Sequence, residues 1–265
     1  IERTKVKVKV KGVGVILEEF DQNPKAIINP EDLIEPIPDF PSVAVSCFAR
    51  ETFKRLLENF DHVLITTTSN IEIPIYRVFV ADQELAFFNA PVGASACVAI
   101  LEDLIAFGMK KLVLFGTCGV LDEDIRETSI IVPTVALRDE GASYHYQAAS
   151  EEIVVNAGLQ DFLLEFLDER GISHSRGKVW TTDGIYRETA AKLLRRKEAG
   201  AICVDMECSA VAALAAFRSV TICQFFYAAD HLSEEKWDMR NLSNHADLDE
   251  KDKIANLAVQ IALAL

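Results

Sequence analysis

The chain reads as an α/β fold, one domain around a largely buried sheet, and three observations lead there. From Val43 onward, short β-branched and aromatic runs alternate with amphipathic or Ala-rich stretches, the order that interleaves strands and helices. The runs "KKLVLF", "AICVDM" and "TICQFFYAA" are nearly continuously apolar, as strands covered on both faces are. Half of the 265 residues are hydrophobic, with no internal repeat or low-complexity tract, which is ample for one large core.

Residues 1–42 stand apart as an N-terminal arm. "VKVKVKG" has period two and predicts an edge strand whose lysines discourage unwanted pairing. "NPKAIINPEDLIEPIPDFP" holds five prolines in nineteen residues, which predicts an extended segment over the body or a neighbouring subunit. Residues 43–265 form the domain. Strands are predicted at 43–47, 62–66, 75–80, 84–89, 111–115, 129–137, 175–180, 201–206 and 221–228, and helices at 49–59, 95–107, 155–170, 189–199, 207–217 and 251–264. The last helix carries Ile254, Leu257, Ala258, Ile261 and Leu265 at helical spacing and packs on the sheet.

A net charge of −14 argues against a nucleic-acid partner or an anionic membrane surface, since either needs a basic patch. It does not exclude a small anion held by a few local donors. No apolar run approaches the roughly 18 residues of a membrane span. The start is basic and alternating with no apolar stretch behind it, so no signal peptide is expected. The six cysteines lie in apolar stretches without CxxC spacing. They read as buried small hydrophobes in a reducing compartment, and not as a disulfide frame or metal site. A cytoplasmic location is expected.

Ligands in open α/β sheets collect at the carboxyl ends of strands, and five segments put polar residues there. "KKLVLFGTCGV" breaks from a buried strand into Gly116-Thr117-Cys118-Gly119, where successive N–H groups can form an anion-binding nest or simply a tight turn. "QFFYAAD" ends in Asp230, a candidate acid or a cap for the next helix. "WTTDGIYRET" carries Asp183, Tyr186, Arg187 and Glu188, with Asp183 or Thr182 able to cap the helix that follows. "ALRDEGASYHY" is a binding segment or a solvated loop. "AGAICVDMECSAVAALAAF" raises the sharpest question, because Asp205 and Glu207 sit where everything around them is apolar. A cap accounts for one acid. The second needs a partner: a ligand diol donating two hydrogen bonds, or a structural ion pair with Arg187 or Arg218.

Taken together, these segments resemble the nucleoside phosphorylase and uridine phosphorylase family. "VDMECSAVAALAAF" is similar to its V-E-M-E-x-A signature, "LVLFGTCGVL" to its strand followed by G-[ST]-x-G, "RDEGASYHY" to the D-G-A-S-x-H-F stretch of uridine phosphorylases, and "AADHL" to the S-D-H-I segment of bacterial purine nucleoside phosphorylases. "VWTTDGIYRET" lies where the family keeps its base-recognition loop. The match runs from about Val43 to Leu232. The resemblance implies a twisted mixed sheet with helices on both sides, three layers in all. It implies cleavage of a nucleoside N-glycosidic bond with phosphate as co-substrate, and no metal or organic cofactor. It further implies a homodimer, or a homohexamer built as a trimer of dimers. By position, Glu207 would hold the ribose hydroxyls, with Met206 under the sugar and His145 near it. Thr117, Gly116 and Arg50 would bind phosphate. Asp230 would be the catalytic acid, and Arg187, Glu188 and Tyr186 would face the base.

The chain departs from the family pattern in two places. "VAVSCFARETF" stands where a Gly-Asp-Pro-x-Arg phosphate turn is usual, leaving Arg50 as the cation nearby, and Leu114 occupies a position that is arginine in many members. Losing two guanidiniums weakens dianion binding, and Arg50 and Arg187 are the candidates to compensate. A nucleosidase using water, with Glu51 as its base, and a catalytically silent nucleoside-binding protein are the alternatives. The base is also open: Asp230 suits a purine, while "DEGASYHY" leans toward uridine.

Overall fold

The computed structural model describes residues 14–243 and 245–265, and the predicted edge strand in "VKVKVKG" lies outside them. From Val43 the chain forms β1 (Val43–Cys47), α1 (Arg50–Glu58), β2 (His62–Thr67), β3 (Pro74–Val80), β4 (Gln83–Asn89), α2 (Ala94–Phe107) and β5 (Lys111–Val120). It continues through β6 (Ile130–Asp139), β7 (Glu152–Val154), α3 (Gln160–Asp168), β8 (His174–Thr182), α4 (Ala190–Glu198) and β9 (Ala201–Asp205). The last elements are α5 (Cys208–Arg218), β10 (Thr221–Leu232), β11 (Trp237–Asp238) and α6 (Leu248–Ala264).

The sheet is mixed. β5 lies between parallel neighbours β1 and β10, and beyond β1 the order is β4, β3, β2. On the other side β10 meets β6, β6 meets β8, β8 meets β9, and β9 returns antiparallel to the end of β5. Five strands thus close a ring, and β5 belongs both to the ring and to the open wing. β5 shows why both faces are covered: Val113 and Phe115 face α1, α3 and α6, while Leu112 and Leu114 face α2 and α5, the two-residue period of a strand.

β7 and β11 are not predicted from the sequence, β6, β10 and α6 run a few residues beyond their predicted bounds, and two boundaries differ more. The predicted break at Gly116 does not occur, because β10 continues to pair with β5 through Val120. The predicted helix at 155–170 begins only at Gln160. Before it, 152–154 pair with β6, and Asn156 and Gly158 take positive φ values of 52° and 74°, which a helix cannot accommodate. Asn156 is held there by buried hydrogen bonds. Its Nδ2 donates to the Gln224 and Pro133 carbonyls at 2.8 and 3.2 Å, and its Oδ1 accepts from the Gln224 N–H at 2.7 Å.

Residues 14–42 lie across the body. Ile34 and Phe40 are buried against α2, Phe40 stacks on Phe107, and the Ile37 N–H donates to the Phe107 carbonyl. Ile27, Ile28 and Leu33 stay exposed. All six cysteines are free and buried, and among the described residues no helix is long and apolar enough to cross a membrane.

Asn156→Ala removes three buried hydrogen bonds and strands the Gln224 backbone without partners. Such losses cost about 1–3 kcal/mol per unsatisfied group, so urea unfolding is expected to report about 3 kcal/mol of lost stability.

Candidate active site

The two halves of the ring bring their carboxyl ends together at Gly119. In β10 the register against β5 shifts between Ala228 and Asp230. This bulge re-aims the strand and sets Asp230 opposite Gly119 on one side, while Val204 pairs with Gly119 on the other. Glycine is required there: a Cβ would meet Leu232, and would lie 3.2 Å from Val204 Cγ1 and 3.3 Å from Asp230 Oδ1. β1 leaves the ladder at Cys47, so the β1-side edge of β5 is open from Gly116 until β9 joins. The Phe48 ring covers Gly116, 2.7 Å from where a Cβ would stand.

Next to this junction β9 turns into α5, and here the two acids separate in role. Asp205 accepts the Glu207 and Cys208 N–H groups at 2.9 and 2.6 Å and the Thr181 hydroxyl at 2.7 Å. It is a helix cap with its hydrogen bonds satisfied. Glu207, 6% exposed, accepts the Gly93 N–H at 2.5 Å, and among the described residues no cation pairs with it. Arg218 is taken by Glu102 at 2.9 Å, and Arg187 is exposed. Burial, then the Asp205 charge, pushes Glu207 up to about 8 against the pull of the Gly93 and Met206 N–H groups.

A polar network backs this corner. Ser209 donates to Glu140 Oε1 at 2.9 Å, Glu140 Oε2 accepts the Ser143 N–H at 2.9 Å, and the Ser209 N–H donates to Thr181 Oγ1. Asp183 accepts the Gly141 N–H at 2.9 Å, so it does not cap α4; Thr189 does. Asp139 anchors α4 through Lys192 at 3.1 Å and Arg196 at 3.4 Å, and also accepts the Trp180 indole N–H.

Asp230 is 9% exposed and raised above its ordinary value, chiefly by burial. It does not cap a helix; its Oδ2 accepts the Trp237 indole N–H at 2.7 Å. Glu188 is pushed up to about 7 by burial and by the Asp230 charge. Met206 and Thr117 are partly buried, Leu114 is in the core, and Arg50, at the start of α1, is exposed. His145 is exposed on the one-turn helix 142–145, and Tyr186 is 94% exposed beside Arg187. The structure therefore gathers the acids and leaves the cations at the rim. Two surface clefts, of about 390 and 440 Å³, lie elsewhere, one against the C-terminal half of α5 and one against α6.

Gly93, Glu140, Ser209 and Trp237 are the site residues that sequence reasoning passed over. The "PVGAS" turn before α2 was the available signal for Gly93, whose φ of +104° only glycine adopts readily.

The family profile described as the Phosphorylase superfamily matches residues 43–265. The chain belongs to this superfamily. Among curated relatives, purine nucleoside phosphorylases of DeoD type from Bacillus cereus (strain ZK / E33L) and Bacillus mycoides (strain KBAB4) are 25% identical over 139 residues. That stretch is 52% of this chain and 59% of theirs, so the chain spans little more than half the length of these relatives. Among solved structures, uridine phosphorylase from Vibrio fischeri ES114 superposes with TM-score 0.68 at 19% identity, covering 88% of this chain and 92% of that one. A complex of the same enzyme with 6-hydroxy-1-naphthoic acid gives 0.70 at 18% identity, covering 88% and 93%. The phosphorylase-superfamily fold is thus shared over most of both chains.

The buried acid gives this superfamily member a pH signature. A carboxyl raised in the folded state binds more protons folded than unfolded, between its ordinary value of 4.5 and about 8. Stability therefore falls as pH rises through that window. Thermal melts from pH 5 to 8 are expected to show that decline, and Glu207→Gln to flatten it and exceed the parent chain at pH 8.

Proposed function

We propose that the protein cleaves the N-glycosidic bond of a nucleoside by phosphorolysis, releasing the free base and a pentose 1-phosphate. One observation carries the reading: Glu207 is buried at a strand–helix corner with a backbone N–H and no cation for company. A vicinal diol supplies what is missing, since two hydroxyls donate to one carboxylate. Met206, next in the chain, then packs under the sugar. Placed this way, the ribose presents C1′ toward the open edge of β5, where Thr117 and the exposed Arg50 offer donors to phosphate.

The chemistry follows from charge. As the C1′–N bond lengthens, the sugar becomes oxocarbenium-like and the base departs with the bonding electrons. A phosphate oxygen on one face stabilises the first and forms the new C1′–O bond. Asp230, which burial shifts toward its protonated form, neutralises the second by giving a proton to the base. Arg187, Glu188 and Tyr186 lie on the loop that would meet the base. The net charge and the buried thiols support a cytoplasmic enzyme, and assembly as a dimer or hexamer belongs to the same proposal.

Hydrolysis is the second reading, and a specific observation favours it. Phe48 covers Gly116, Leu114 is sealed in the core, and among the described residues no guanidinium is buried at the β5 edge. A panel of uridine, inosine, adenosine and methylthioadenosine, each with and without phosphate, separates the two. Phosphorolysis predicts base release only with phosphate present. Release without it supports hydrolysis, and binding without turnover supports a silent nucleoside-binding protein.

Glu207→Ala is expected to lower kcat/KM at least about 100-fold, roughly 3 kcal/mol of lost sugar contact. Near-parental turnover by the folded variant would remove Glu207 from the site. Asp230→Asn should slow purine nucleosides more than pyrimidine ones, and equal losses would argue against proton donation to a purine ring.

A further inference from the structure

Trp237 is a large aromatic at this site whose position packing does not explain. It is 57% exposed, and a side chain of that size in solvent forgoes most of its apolar stabilisation. Its indole N–H is nevertheless directed inward, 2.7 Å from Asp230 Oδ2. The backbone around it is arranged to keep it there. β11 folds back on β10, pairing Trp237 with Leu232 and Asp238 with His231. The turn between them is closed by Ser233, which donates its N–H and hydroxyl to the Lys236 carbonyl and accepts the Lys236 N–H. Lys197 of α4 pairs with Glu234 in that turn at 3.4 Å. Downstream, the Asn241 N–H donates at 3.1 Å to the Ala229 carbonyl, the residue skipped in the β10–β5 register. The strand irregularity that aims Asp230 and the segment that carries Trp237 are thus joined by one hydrogen bond.

We propose that Trp237 is a positioning residue for Asp230: its indole N–H fixes Oδ2, so that Oδ1, beside Gly119, is the oxygen that carries and delivers the proton. This rests on the reading of Asp230 as the acid that protonates the leaving base. A carboxyl free to rotate offers either oxygen in either direction, whereas one pinned at Oδ2 presents a single O–H. The indole bond favours the ionised carboxylate, as do Arg240 and His231, while burial opposes it. Glu188 and the Cys118 thiol are the remaining titratable groups that feel Asp230. Trp237 therefore holds the acid in place and limits how far burial can raise it.

The chain has two tryptophans, each donating to a different carboxylate, Trp180 to Asp139 and Trp237 to Asp230. In protein labelled with 15N at the indole, Trp237→Phe identifies the Trp237 signal by its loss. That signal is expected to move with pH as one carboxyl titrates, and to lose this response in Asp230→Asn while the Trp180 signal keeps its own behaviour. A Trp237 signal indifferent to pH and to Asp230→Asn overturns the proposal without reference to activity. In turnover, Trp237→Phe keeps the ring and loses the donor. It should lower kcat about 10-fold with KM within about twofold, and move the alkaline limb of kcat/KM up by about one pH unit. If Asp230→Asn abolishes base release while Trp237→Phe leaves kcat and that limb in place, the positioning role falls and the acid stands. If Asp230→Asn releases base at the parental rate, the acid assignment falls with it.

Discussion

Two carboxyl groups buried within three residues of one another constrain the whole carboxyl end of the sheet. One of them, Asp205, is consumed by the start of α5: its two backbone donors and the Thr181 hydroxyl tie β8, β9 and α5 into one unit. The second, Glu207, inherits the repulsion of the first and receives little in return. Burying a charge without a partner is costly, and burial together with the Asp205 charge raises the Glu207 carboxyl, which faces a glycine turn. Under the proposed function, a ligand that brings hydroxyl groups supplies the hydrogen bonds this corner lacks.

The surrounding architecture serves the same corner. Ser209 on α5 and Ser143 on the one-turn helix both engage Glu140, so the segment after β6 is drawn onto the side of α5. Asp139 draws α4 in through Lys192 and Arg196, which fixes the two ends of the loop 183–188 while its middle stays in solvent. Gly119 lets Asp230 approach the backbone of β5 without a clash. Together these contacts hold the segments that carry Asp230 and the half-buried Glu188, whose carboxyl the Asp230 charge helps to raise.

Much of the fold was legible because its strands are continuous apolar runs and its helices keep their period. What escaped the sequence has a common origin in contacts between distant segments. The length of β5 could not be read from "GTCGV", since glycine signals a turn by default and here serves as clearance for Leu232 and Val204. The start of α3 was misplaced because Asn156 looks helix-compatible until its bonds to Gln224 are known. Asp205 and Glu207 stood out by chemistry alone, yet which one was the cap depended on where Thr181 and Gly93 came to lie. Trp237 gave no signal at all, because an aromatic in a polar tail resembles surface noise until its N–H is located.

The ring of strands is stitched unevenly. β10 and β5 share ten paired positions, and β6 and β8 share nine. The two seams that join these halves, β10 to β6 and β9 to β5, have only two pairs each. Glu207 follows β9 on one half, and Asp230 stands on β10 in the other. The sugar contact proposed for Glu207 and the proton donor proposed for Asp230 therefore stand on different halves of the ring, and the distance between them is set across these short seams and by α5, which packs on β10, β6 and β8.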